Sequence, residues 1–406
     1  MKPKILVLTT TFPRWKNDVD PPFVHELSRR LTSSFEVYVL TPHYPGAKYS
    51  ERLDNIYVRR FLYFIPQWEK LAGSVGILPT LQRNKFYYLL IPFFLFAQII
   101  SSIILVRKIR PDVIHAHWII PQGVIASILH KLFRVPVIVT AHGADVFSLQ
   151  GKLVSKCKLI ALKSACQVTA VSKALARLIK ALDTHLAEPV VLPMGVDASF
   201  FSPEKRTRSI KEQYDIKGPF LLFVGRLTEK KGVVFLVDAM VDVVRFFPDA
   251  KLLIIGSGER ETFLKEHVRR LNLSMTVVFV GGLSNQELPQ YYASADIFVG
   301  PSIQIDKGDT EGFGLTFVEA AMSGCLVIGT KVGGIEDIVE DNKTGFLVPQ
   351  RDTAALAQKV IWVVEHLSSL DSVRDNARKR CREKFDWEVV IAKYIALFNG
   401  CINMKE

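Results

Sequence analysis

Along this chain of 406 residues one pattern of apolar and polar positions keeps returning: a short apolar run that ends in small or polar residues, followed by a stretch with helical spacing. KILVLTTTFP opens as a buried parallel strand, and FEVYVLTP, IYVRRF, DVIHAHW, PVIVTAHG, CQVTAVS and PVVLPMGVD follow as strand candidates, with helical stretches between most of them. Runs that are apolar throughout, without alternation, belong to strands covered on both faces. After residue 219 a second series begins: FLLFVGR, KLLIIGSG, VVFVGG, IFVGPS, CLVIGT and GFLVP alternate with amphipathic segments such as GVVFLVDAMVDVVRFF. The pattern predicts an α/β chain with two doubly wound domains. SPEKRTRSIKEQYDIKGP, at 202–219, is rich in charge and is the expected boundary, giving domains 1–201 and 202–384. A last helix within 385–406, FDWEVVIAKYIALF, is expected to cross back and brace the first domain.

Length and composition fit this division. Two domains of about 200 residues each bury a core of their own. Hydrophobic residues make up 49% and charged residues 23%, a globular balance with no low-complexity tract. Cys157, Cys166, Cys325, Cys381 and Cys401 form no C-x-x-C pair and read as reduced, structural thiols of a cytosolic protein. Charge is uneven. Residues 1–200 hold 25 Lys and Arg against 12 Asp and Glu, while residues 201–406 hold 27 against 28, so the net +12 belongs to the first half. A basic face suits nucleic acid, an anionic membrane or a phosphate-bearing acceptor. No aromatic RNA-binding pattern, zinc spacing or basic repeat supports nucleic acid, which ranks last. An NAD enzyme is also disfavoured: the first strand ends in Thr9, Thr10 and Thr11, and GSGERE has Gly256 and Gly258 but Glu261 where a third glycine belongs.

Residues 86–106, FYYLLIPFFLFAQIISSIILV, are apolar over a length that could span a bilayer. The run sits between strand candidates of one domain, and Pro92, Gln98, Ser101 and Ser102 interrupt it. Arg83, Lys85, Arg107, Lys108 and Arg110 flank it. Two readings stand side by side: a buried crossover helix, or peripheral contact with a membrane through residues 83–110. No secretory leader precedes the first strand, so the expectation is a cytoplasmic protein, peripheral on the inner membrane face.

The candidate chemistry lies in the second half. EGFGLTFVEAAMSG, residues 311–324, sets Glu311 and Glu319 on either side of a glycine-spaced turn that opens a helix. Gly312 and Gly314 let backbone N–H groups approach an anion at the helix N-terminus, and a carboxylate accepts hydrogen bonds from a vicinal diol. Taken alone, the segment also reads as a capping Glu311 and a surface Glu319. PFLLFVGRLTEKKG, residues 219–232, is a strand running into Gly225, Arg226 and a basic turn with Lys231. The carboxyl end of a strand in an open α/β sheet is where ligands sit, and an Arg fork with a Lys point charge suits a diphosphate. His115 and His117 of DVIHAHW alternate along a strand, with one face expected to be buried and the other near the site.

Together these segments resemble family 4 of the retaining glycosyltransferases (glycosyl transferases group 1), whose hallmarks are an E-x7-E pair and a G-R-L-x-x-K-K-G turn. AHGAD at 141–145, AVSKAL at 170–175, PMGVD at 193–197, GGIEDIV at 333–339 and TGFLV at 344–348 fit the same family in order, so the resemblance covers nearly the whole chain. One stretch departs from it: many members carry a Gly-Gly pair where this chain has Asn17-Asp18-Val19-Asp20-Pro21-Pro22. The resemblance implies the GT-B architecture, two Rossmann-like doubly wound domains facing across a cleft. It further implies a retaining hexosyltransferase with a nucleotide diphosphate sugar as donor and a glycan or lipid-linked acceptor, acting in polysaccharide or glycoconjugate biosynthesis without metal or other cofactor.

By the same resemblance the catalytic residues are His142, Arg226, Lys231 and Glu311. The donor is held by Gly225, Arg226, Lys231, Glu311, Gly312, Phe313, Gly314, Leu315 and Glu319, with Glu311 on the transferred sugar and Glu319 on the ribose. Asp145, Gly333, Gly334 and Glu336 are secondary candidates, and Asp145 and Ser172 read as loop caps more readily than as catalytic groups. Two other classes remain open: a sugar-nucleotide epimerase or hydrolase on the same architecture, and a non-catalytic sugar-nucleotide-binding protein.

Overall fold

Strands form where the apolar runs fall, because each run is covered on both faces by helices that return the chain. The computed structural model describes residues 2–15, 18, 23–72, 76–148, 151–305 and 308–404, with backbone alone at 78 and 79. Of the loop 17–22, all but Asp18 lies outside the described residues; the Asp18 carboxylate accepts from the Arg14 guanidinium at 2.6 and 2.8 Å.

The chain divides into two units, Met1–Leu192 with Ile391–Glu406, and Pro193–Val390. The first unit carries β1 (Lys4–Leu8), β2 (Glu36–Pro42), β3 (Ser50–Leu53), β4 (Ile56–Phe61), β5 (Val113–His117), β6 (Val137–Ala141), β7 (Gln167–Ala170) and β8 (Val190–Val191). They form one sheet in the order β3-β4-β2-β1-β5-β6-β7-β8, parallel except for the antiparallel β3. β3 is the strand the apolar pattern does not predict. Its sequence, Ser-Glu-Arg-Leu, is polar because an edge strand keeps one side in water.

The second unit carries β9 (Phe220–Val224), β10 (Lys251–Ile255), β11 (Val277–Gly281), β12 (Ile297–Gly300), β13 (Leu326–Thr330) and β14 (Phe346–Val348), all parallel in the order β11-β10-β9-β12-β13-β14. The chain enters at β9, moves outward to β11, and returns to β12 beside β9. The connections leaving β9 and β12 therefore diverge from neighbouring strand ends, the switch point at which open α/β sheets hold ligands. Leu221, Phe223, Leu252 and Ile254 from the strands pack with Leu236, Met240 and Val360 from the helices Val233–Phe246 and Thr353–Glu365 to form one core.

The units part at Leu192/Pro193, earlier than 201/202, and residues 202–219 are not a free linker. Thr207 N donates to Ser294 Oγ at 3.1 Å, and the helix Arg208–Gln213 packs on the helix Leu288–Ser294 of the second unit. Residues 193–197 also belong there: Val196 N donates to Phe385 O at 2.8 Å.

The helix Trp387–Asn403 passes from the second unit into the first at Val390/Ile391. In the first unit Tyr394 and Phe398 are wholly buried, Phe398 lying 5.2 Å from the His115 ring and 5.7 Å from Phe35. The same return corrects the reading of the thiols. Cys401 meets Cys166 across 235 residues in a disulfide, Cα atoms 6.1 Å apart, while Cys157, Cys325 and Cys381 stay free. Sequence spacing carries no trace of such a pairing, because it is made by the returning helix.

Phe398→Ala removes a buried ring from the first unit and is expected to cost about 3–5 kcal/mol. Urea denaturation followed by residue-specific probes in each unit checks this: the loss is expected in the first unit, and a loss confined to the second would contradict the placement.

Candidate functional site: the switch point of the second sheet

After β9 the chain turns through Gly225 and Arg226 into a short 3-10 turn, Glu229–Lys231, closed by Gly232. Gly232 is left-handed (φ 62°), and a Cβ there would stand 2.0 Å from Pro301 O, so only glycine lets this turn lie against the connection leaving β12. The close approach brings Lys231 to Glu311. Its ammonium donates to Glu311 Oε2, and both side chains are mostly buried, at 17% and 13% exposed. Ser302 Oγ reaches the same oxygen at 3.5 Å, and neighbouring Lys230 donates to Asp309 Oδ1 at 3.1 Å.

Electrostatics divide the two glutamates. Burial pushes Glu311 up, but Lys231, Lys230 and Arg226 outweigh it and hold its carboxyl below the usual carboxylate range. Glu319 has no such escort. Burial dominates there, only partly offset by the hydrogen bond from Tyr292 and the charge of Lys231, and its carboxyl is pushed up to about 7. Tyr292 Oη donates to Glu319 Oε2 at 2.8 Å. One acid is thus ionised and paired, and the other carries a proton in mildly acidic solution.

The backbone of Glu311 is held from the other side by the turn of GGIEDIV. Gly334 N donates to Glu311 O at 3.1 Å, and a Cβ on left-handed Gly333 would lie 2.1 Å from that oxygen. Gly333 and Gly334 therefore act here as packing surfaces for Glu311. Glu336 is exposed on the four-residue helix Ile335–Ile338. Gly314 caps the helix Leu315–Met322, whose second turn carries Glu319; Phe313 is buried against Phe385 with ring centroids 5.3 Å apart. Gly225, Arg226, Lys231, Glu311–Leu315 and Glu319 thus all lie on the β9 and β12 connections or on the helix that the latter opens.

His142 and Asp145 belong to the first unit, on the connection leaving β6. Asp145 is a buried loop cap: its carboxylate accepts from the backbone N–H of Ile119 (2.8 Å), Gly143 (3.0 Å) and His142 (3.2 Å). Ser172 is likewise a cap, accepting from Leu175 N at 3.3 Å. His142 rests in an aromatic surround of Phe23 (5.1 Å), Trp118 (4.9 Å) and His117, whose Nδ1 lies 2.9 Å from His142 Nε2. Burial pushes His142 down to about 3, with His115 adding to it, so the ring is neutral at ordinary pH.

His115 and His117 do not divide between a buried face and an exposed one. Residues two apart on a strand share a face, and both rings are wholly buried with centroids 4.1 Å apart. His115 Nε2 joins a hydroxyl chain through Thr140 Oγ1 (2.7 Å) to Thr169 Oγ1 (2.7 Å). Sequence reasoning missed Ser302, Tyr292, Phe23 and Trp118. Lys230 was legible in the basic turn, but Tyr292 stands on a helix with no local mark of the site.

The site's elements match known families along most of the chain. The description "Glycosyltransferase Family 4" fits residues 22–200, and "Glycosyl transferases group 1" fits residues 205–380. The fold matches sucrose-phosphate synthase from Thermosynechococcus elongatus, with a TM-score of 0.81 at 20% identity, covering 99% of this chain and 100% of that one. This chain belongs to the group 1 glycosyltransferases of the GT-B fold, enzymes that use nucleotide-sugar donors.

Among individual proteins it is similar to an uncharacterized glycosyltransferase of Methanocaldococcus jannaschii, 26% identical over 84% of this chain and 88% of that protein. It is also similar to a GDP-mannose-dependent alpha-(1-6)-phosphatidylinositol monomannoside mannosyltransferase of Mycolicibacterium smegmatis, 34% identical over 52% of this chain and 56% of that protein.

Glu319 gives a pH test. Its carboxyl titrates near 7 in the folded chain against an ordinary 4.5, so the native state binds the proton more tightly than the unfolded one between these values. Stability from this group is present below 4.5 and is lost as pH rises through about 7. Glu319→Gln, which keeps an acceptor for Tyr292, is expected to raise the second unit's melting temperature by about 3 °C or more at pH 8. The gain should shrink towards zero near pH 4.5; an equal gain at both pH values would rule out the protonation argument.

Proposed function

We propose that this chain transfers a hexose, with retention at the anomeric carbon, from a nucleotide diphosphate sugar to a glycan or lipid-linked acceptor. The observation that carries this reading is the Lys231–Glu311 pair at the switch point, with Arg226 near enough for its charge to act on the same carboxylate. A diphosphate arriving there draws Lys231 and Arg226 to its oxygens. The Glu311 carboxylate, released from its partner, then accepts hydroxyls of the transferred sugar. Glu319 accepts the ribose diol, and the backbone N–H groups at Gly312–Leu315 complete the donor's anchorage.

The chemistry is a single exchange at the anomeric carbon. Its bond to the diphosphate oxygen breaks as the acceptor oxygen bonds to the same face, and the acceptor's proton passes to the departing phosphate. Negative charge grows on that phosphate, where Arg226 and Lys231 stabilise it. The reading needs no metal, since two cations already meet the charge. His142, neutral and held by its aromatic surround, is the first unit's candidate for contact with the sugar. Asp145 fixes the loop on which His142 stands. Gly333 and Gly334 keep Glu311 in place, and Glu336 stands as an exposed donor-loop candidate.

The basic first half supports a phosphate-bearing acceptor at a cytosolic membrane face, with peripheral contact through residues 83–110, and the phosphatidylinositol monomannoside named for the mycobacterial relative is an acceptor of that kind. The purified chain is to be screened by thermal shift against UDP, GDP and ADP sugars, where one donor is expected to raise the melting temperature with ligand excess. Lys231→Ala removes a stabilising charge worth about 3 kcal/mol in the transition state, a loss of roughly a hundredfold or more in turnover. Labelled donor with and without a membrane extract then separates the classes. Product only with extract supports transfer, conversion without acceptor indicates an epimerase or hydrolase, and binding without turnover indicates a sensor.

A further inference from the structure

The helix Ile91–Ile109 leaves an apolar stripe uncovered. Its buried face carries Phe94, Leu105, Val106 and Ile109 together with Gln98 and Ser102, and the Gln98 amide has no hydrogen-bond partner among the described residues. The face turned outward is apolar: Phe93 is 54% exposed, Phe96 69%, Ile100 41% and Ile104 50%. At roughly 100° per residue these four fall within an arc of roughly 80°, opposite Gln98 and Ser102. Of the most apolar 18-residue window in the continuous helical run Lys85–Ile109, only 33% is buried. A crossover helix of a soluble core would carry polar residues on the face it leaves outside.

The stripe is one edge of a wider platform. Phe93 meets Phe64 (5.6 Å), Phe64 meets Trp68 (6.3 Å), and Trp68 meets Phe86 (6.1 Å), with Phe64, Trp68 and Phe86 all exposed. The loop bearing Phe64 and Trp68 is pinned from below. Glu69, wholly buried, accepts from Tyr63 N (2.5 Å) and Phe64 N (3.1 Å) and pairs with the buried His43 ring. Exposed aromatic groups on a fixed support form a surface prepared for an apolar partner.

Charge selects the partner. Lys70, Arg83, Lys85, Arg107, Lys108 and Arg110 border the platform in sequence, and no Asp or Glu occurs between Glu69 and Asp112. A second copy of the chain, meeting this face with the same face, would set those cations against each other. Anionic lipid headgroups complement them, and rings at the headgroup level bury their apolar edges in the acyl boundary.

We infer that this face, the outward stripe of 91–109 with Phe64, Trp68 and Phe86, lies on the surface of an anionic bilayer. The helix rests in the plane of one leaflet. This deepens the membrane part of the proposed function and leaves the donor site untouched.

The test uses the full chain and vesicles of phosphatidylcholine with and without phosphatidylglycerol, separated by flotation at physiological salt. The chain is expected to float with the anionic vesicles at least tenfold more than with the neutral ones. Phe93→Ser with Phe96→Ser, both on the surface, is expected to weaken that partition at least tenfold, and Arg107→Glu with Lys108→Glu to remove the preference for anionic lipid. Far-UV circular dichroism and the melting temperature of the first unit serve as the control for folding and should be unchanged in both variants, as should the thermal shift by the nucleotide sugar. Absence of flotation, flotation indifferent to the Phe substitutions, or a dimer in light scattering that those substitutions dissolve would each overturn the inference. A donor-induced shift that survives such a result would leave the transferase reading standing.

Discussion

Between the ends of β9 and β12, an ammonium and a carboxylate share a space from which water is largely shut out. Lys231 and Glu311 come from segments 80 residues apart, and the site depends on their being held together. In such surroundings an ion pair contributes little net stability, since desolvating both charges offsets most of their attraction. Parting them without replacement is costly. A ligand that brings phosphate oxygens to Lys231 and hydroxyls to Glu311 supplies both replacements at once. The left-handed glycines at 232 and 333 give the pair its geometry, because each brings a turn within contact of the backbone that carries the partner.

Glu319 shows how surroundings change a carboxylate's state. Glu311 faces three cations, while Glu319 faces a tyrosine hydroxyl and one cation, and burial penalises both. Residues of one chemical type thus come to differ in protonation near neutrality. In the first unit the same force acts on histidines. His115, His117 and His142 all sit where desolvation keeps them neutral, joined to hydroxyls and to each other in place of solvent.

Outside the site, the helix at 91–109 leaves apolar side chains on its outward face. Its sequence is apolar on nearly every side, so periodicity assigned it neither a buried nor an exposed face. Packing chose: Phe94 joins Phe61 and Tyr63, Gln98 and Ser102 follow it inward, and the opposite rings are left uncovered. The buried Glu69 beneath Phe64 fixes the neighbouring loop in a way that only contacts distant in sequence can produce.

The sequence alone determined the parallel strands with their burial, the alternation that makes two α/β sheets, and the basic turn and acid pair at strand ends, because these are local matters of side-chain type and spacing. It also placed the charge excess in the first half. Tertiary structure decided the rest. The polar edge strand β3 has no apolar signature, and the Cys166–Cys401 link exists because the last helix returns to the first unit. The shared face of His115 and His117, the packing role of Gly333 and Gly334, and the partnership of Tyr292 with Glu319 also depend on what the folded chain places opposite them. Burial, and with it the protonation of a carboxylate or the exposure of a helix face, belongs to the surroundings of a residue, and those are assembled from segments far apart in sequence.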